Sequence, residues 1–104
     1  MYLKISADCS VSLEESDDFI RFSIVVAEPA PAGWQTSGPF SRLAEEAGDG
    51  HYWLDKDAVA ALSPKRDDDA WRAAFNTMLN GAEPYGFYDS DRRKIKAHIV
   101  AGET

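Results

Sequence analysis

The sequence predicts an α+β fold: one domain over residues 1–104, with a mainly antiparallel sheet of three to five strands and two or three helices packed on one face. Three observations carry that prediction. Period-two apolar alternation marks both ends of the chain, at Leu3 and Ile5 and again at Ile95, Ala97 and Ile99. Between them Trp71, Ala74, Phe75, Met78, Leu79 and Ala82 form a stripe at helical spacing. The predicted strands and helices alternate too irregularly for successive βαβ units.

Taken in order, residues 2–6 alternate Leu3 and Ile5 against Tyr2, Lys4 and Ser6, which predicts a strand. Residues 8–18 carry Asp8, Glu14, Glu15, Asp17 and Asp18 among serines. They predict an acidic loop, with Val11 and Leu13 tacked to the core. Residues 19–27 are rich in β-branched and aromatic side chains and predict the strongest strand, with Ile20, Phe22, Ile24 and Val26 on one face. Pro29 and Pro31 end it in an extended path. Ser37-Gly38-Pro39 predicts a helix start. Phe40, Leu43, Ala44 and Ala47 follow at helical spacing up to Gly48, a natural stop.

Asp49-Gly50 is a turn signal, and residues 51–54 predict a short strand. Asp55 can cap a helix whose inward side is Ala58, Val59 and Leu62, ending at Ser63-Pro64. Asp67, Asp68 and Asp69 suit the N-terminus of the striped helix, which Gly81 and Pro84 close. Residues 85–88, a turn at Asp89-Ser90-Asp91 and residues 94–100 predict a closing hairpin, with residues 101–104 frayed. The expected core is Leu3, Ile5, Phe22, Ile24, Val26, Leu43, Leu54, Val59, Leu62, Trp71, Phe75, Met78, Leu79, Ile95 and Ile99.

Composition narrows the function. The net charge is −7, and residues 92–104 are basic while the rest is strongly acidic. Such a field keeps a protein soluble and repels nucleic acid and anionic membrane. One cysteine, Cys9, permits no internal disulfide, and no leader-like segment or bilayer-length apolar run is found. A cytoplasmic location follows as the expectation.

Searching for chemistry gives little. Cys9, His51 and His98 stand apart in sequence, without the spacing of a four-ligand zinc site. Asp89-Ser90-Asp91 and Asp67 to Asp69 resemble the start of a calcium loop but lack its glycine and its final glutamate. They read better as a turn and a helix start. No phosphate loop, dinucleotide fingerprint or nucleophile elbow occurs, so no catalytic residue, metal or cofactor is assigned. Cys9 reads as a packing residue.

The readings that remain concern partners. Glu14, Glu15, Asp17 and Asp18 form an acidic row that can meet a basic protein surface. Trp34, Tyr52, Tyr85 and Tyr88 lie in short connecting segments, where amphipathic rings suit exposure at an interface. The leading expectation is therefore a non-enzymatic protein that binds another protein, of the inhibitor, immunity or accessory-subunit type. A homodimer through an edge strand bearing Lys94 and Lys96 is a related option. The first alternative is a small ligand-binding protein or minor enzyme with a groove between sheet and helices, using His51 and the tyrosines. The second is nucleic-acid contact through residues 92–96, with Tyr85, Phe87 and Tyr88 as stacking platforms.

Overall fold

Alternation of apolar and polar residues builds the first strands. The computed structural model describes residues 1–36 and 38–101. β1 (Tyr2–Ile5) and β2 (Val11–Glu14) form an antiparallel hairpin, and β3 (Ser23–Val26) runs parallel to β1. The α1 helix (Pro39–Leu43) leads into β4 (Ala44–Gly48) and β5 (His51–Asp55), which pair antiparallel. The α2 helix (Lys56–Ala61), α3 (Asp69–Ala82) and a 3-10 turn at Glu83–Tyr85 follow. The short β6 (Tyr88–Asp89) and the long β7 (Lys94–Ala101) complete one seven-stranded mixed sheet. Its order is β2-β1-β3-β7-β5-β4, with β6 also on β7.

The register assigns the faces. Leu3 pairs with Ile24, Ile24 with Ile99, and Leu54 with Ile95, so these side chains share one face. Phe75, Leu79, Trp71 and Val59 from the helices join the same buried cluster. The other face carries Lys4, Val25, Trp53, Lys96 and His98 and has no helix over it among the described residues.

The helix starts are as the sequence dictates. Asp55 accepts from the backbone N–H groups of Asp57 (2.9 Å) and Ala58 (3.4 Å). Asp68 does the same for Ala70 (2.9 Å) and Trp71 (3.3 Å). Pro39 stands in the first turn of α1; Ser37, part of the predicted start signal, lies outside the described residues.

Several expectations are corrected. The sheet is larger than three to five strands and mixed, because β3 joins β1 and β7 in parallel. The acidic loop contains β2: Val11 and Leu13 do alternate, and the turn from Ser6 to Ser10 folds them back on β1. Ala44–Gly48 is a strand, not a continuation of α1. Its helix-favouring Ala and Glu residues yield to pairing with β5, a tertiary override of a weak propensity. Residues 19–22 do not extend β3. The Met1 amine binds the carbonyls of Asp18 and Arg21 (2.9 Å each), and Asp18 Oδ1 accepts from the Ile20 N–H (3.0 Å), which turns the backbone off the ladder. Ile20 is consequently 90% exposed. Lys94 and Lys96 guard no edge, since β7 is central and the outer strands are β2 and β4.

Phe22, Leu62, Met78 and Ile99 of the expected core are only partly buried. Met1, Leu13, Trp34, Phe40 and Tyr88 join it instead. No helix among the described residues is long and apolar enough to cross a membrane.

Candidate binding cleft

The break in strand pairing beside β7 creates a concavity. Along one edge of β7, β6 covers Lys94 and Ile95, while β3 covers Ile99 to Ala101. The Lys96 N–H still reaches the Phe87 carbonyl at 2.8 Å. Beyond it, at Ala97 and His98, no strand pairs with this edge among the described residues. A cleft of about 750 Å³ opens there.

Its walls come from three places. Residues 19–22 supply Phe19, Ile20, Arg21 and Phe22; α3 supplies Thr77, Met78, Gly81 and Ala82; and Phe87 closes the far side. Lys96, His98 and Val100 from β7 form the part that reaches the helix-free face. Residues 19–22 are held in place by Trp71. Its ring lies 6.4 Å from Phe19 and stacks on Phe75 at 4.9 Å, and its Nε1–H donates to the Ser16 carbonyl at 2.7 Å.

The three large hydrophobic residues most exposed to solvent are Ile20 (90%), Tyr85 (79%) and Phe87 (46%). Two of them line the cleft, and Tyr85 ends the 3-10 turn two residues before Phe87. Arg21, Lys96 and His98 are the cleft's basic side chains, and none forms an ion pair among the described residues. Apolar walls with basic groups at the margin can accept an apolar group flanked by carboxylates.

The residues singled out by sequence do not gather in one place. Glu14 ends β2 opposite Tyr2, and Glu15 occupies a left-handed turn position (φ 50°). Asp17 binds Lys65 Nζ at 2.8 Å, and Asp18 lies 3.6 Å from the Met1 amine. The Ile20 N–H, then burial's opposing push and the Met1 amine, leave the Asp18 carboxyl below its ordinary pKa. Asp17 and Asp18 thus fasten the loop that carries them.

Trp34 is buried, not exposed: its ring packs 5.1 Å from Phe40 and 6.2 Å from Tyr52. Tyr88 is buried as well, and Tyr52 is half-buried. Burial raises the pKa of both phenols, and Glu46 adds to the effect at Tyr52. The physical reason is that Tyr52 and Tyr88 stand in β5 and β6 at positions facing the covered side of the sheet, and the loop carrying Trp34 packs against that side. Only Tyr85 is fully on the surface.

His51 does not share a groove with the tyrosines. It lies on the helix-free face with His98, whereas Tyr52 points to the covered face. In the basic run, Arg92 pairs with Glu45, and Arg93 binds Asp57 through two contacts of 2.7 and 3.1 Å. Arg92 and Lys96 both lie over the Trp53 ring, at 5.6 and 5.8 Å. Asp89 and Asp68, one acid from each of the calcium-like segments, accept backbone N–H groups in a turn and a helix cap. Cys9 sits half-buried in the β1–β2 turn at φ 69°.

A groove between sheet and helices is among the expectations, but its wall at residues 19–22 is not, because those residues read as strand. The available signal was Phe19, Ile20 and Phe22 in succession, which place apolar side chains on both faces of any strand. No family model matches the chain, and neither a curated protein nor a solved structure matches it.

Proposed function

We propose that this protein acts by binding another protein, whose apolar anchor side chain enters the cleft between residues 19–22 and the C-terminal half of α3. The observation that carries this reading is the concentration of exposed apolar side chains there: Ile20 and Phe87 face one concavity. Interfaces form around apolar anchors of this kind with a polar rim. Arg21 and Lys96 suit carboxylates flanking the anchor. The acidic row at residues 14–18 is the weaker candidate, since Asp17 and Asp18 already have partners within the chain.

The test is co-purification from the source cell with three proteins: wild type, Phe87→Ser, and the combined Glu14→Gln, Glu15→Gln, Asp17→Asn variant. The expected result is a stoichiometric partner retained by the acidic-row variant and lost with Phe87→Ser. A partner lost only from the acidic-row variant overturns the proposal in favour of docking on a basic surface.

A second reading has one observation in its favour. About 750 Å³ lies within the range of small-molecule pockets. Native mass spectrometry that shows a bound apolar metabolite, released by Phe87→Ser, would establish that reading instead.

A further inference from the structure

We infer that His51 and His98 form a two-imidazole chelate for a divalent transition-metal ion on the helix-free face of the sheet. The residues are directly opposite one another in the antiparallel β5–β7 pair. Opposed residues bring their Cβ atoms within about 5 Å. Their rings lie 5.8 Å apart, inclined at 49°. An ion held 2.0–2.1 Å from each ligating nitrogen sits about 3.2 Å from each ring centre. Centres 5.8 Å apart then correspond to a nitrogen–ion–nitrogen angle of about 130°. Closing the rings by roughly half an ångström reaches the tetrahedral angle preferred by zinc.

One imidazole is already prepared. His51 Nδ1 lies 3.1 Å from the Asp49 carbonyl. A carbonyl only accepts, so Nδ1 donates, and in the neutral ring that leaves the Nε2 lone pair for a metal. This is the outer support that orients metal-bound histidines. The backbone supplies it through the β4–β5 turn, where Gly48, Asp49 and Gly50 all have positive φ (89°, 53° and 75°). Gly48, which is opposite His51 on β4, adds no side chain to crowd the site.

No group of three or more His, Cys, Asp or Glu suited to a metal occurs among the described residues. The chelate is thus two-coordinate from the protein, with water completing the shell. That favours exchangeable ions that like imidazole, with Cu²⁺ above Ni²⁺ and Zn²⁺. The site shares His98 with the cleft, but it rests on the sheet register and the ring geometry and not on the cleft proposal.

The test is calorimetric titration of the full chain with Cu²⁺ and with Zn²⁺, beside electron paramagnetic resonance of the Cu²⁺ form. Binding of one equivalent is expected, tighter for Cu²⁺. The second imidazole acts intramolecularly, so His51→Gln and His98→Gln should each weaken binding by roughly 10²-fold. Wild-type spectra should carry hyperfine structure from two nitrogens, a readout that needs no variant. Single-nitrogen spectra, or variants that each bind within about threefold of wild type, would overturn the inference.

Discussion

Trp71→Phe tests how the cleft wall is held. Trp71 is 3% exposed, and its indole does two jobs. Its ring stacks on Phe75, and its N–H is given to the Ser16 carbonyl in a buried setting. Phenylalanine keeps most of the ring contact and removes the donor. A buried acceptor left without its partner costs about 1–3 kcal/mol. The smaller ring leaves a void beside Phe19 that adds about 1 kcal/mol. The expected loss is about 2–4 kcal/mol, by summing those two terms. In a domain of this size that lowers Tm by roughly 10–20 °C. Trp53→Phe is the matched control, because Trp53 is half-buried on the helix-free face and its ring lies under the cations Arg92 and Lys96. Its loss should stay below about 1 kcal/mol. Urea unfolding followed by circular dichroism measures both. Equal losses for the two variants would refute the argument that the indole N–H secures residues 14–22.

Further outcomes follow from the caps and the ion pairs. Asp55→Ala and Asp68→Ala each remove a carboxylate that holds two helix N–H groups, and each should cost about 1 kcal/mol in urea unfolding. Because the two caps serve different helices, the double variant should be close to additive. The hydrogen bond from Arg93 holds the Asp57 carboxyl below its ordinary pKa. The unfolded chain therefore binds more protons than the folded one between the two values. The pair's contribution is present above about pH 4 and is lost as pH falls through the folded value. Asp57→Asn should flatten that acid limb in melts taken between pH 6 and pH 3, to a small degree because both side chains are more than half exposed.

What the sequence reveals is what short-range chemistry decides. The caps at Asp55 and Asp68, the stripe from Trp71 to Leu79 and the alternation in β7 are local patterns, and each appears in the structure where the pattern falls. Long-range pairing is different in kind. Ala44–Gly48 has a helical composition and becomes a strand because β5 is its neighbour in space. The parallel contacts of β3 with β1 and β7 join segments far apart in the chain, and no spacing announces them. The cleft has the same origin: it exists because residues 19–22 leave the sheet to bind the Met1 amine. Trp34 and Tyr88 look like interface residues in sequence, yet amphipathic rings also pack into the core, Trp34 from a loop and Tyr88 from β6.

The central claim is that the cleft beside β7 is where a protein partner docks. Hydrogen exchange of the protein alone and in its co-purified complex tests it most directly. The account predicts new protection at residues 19–22, 77–82 and 85–88. Protection confined to residues 11–18, or to β4 and β5 at residues 44–53, would contradict it.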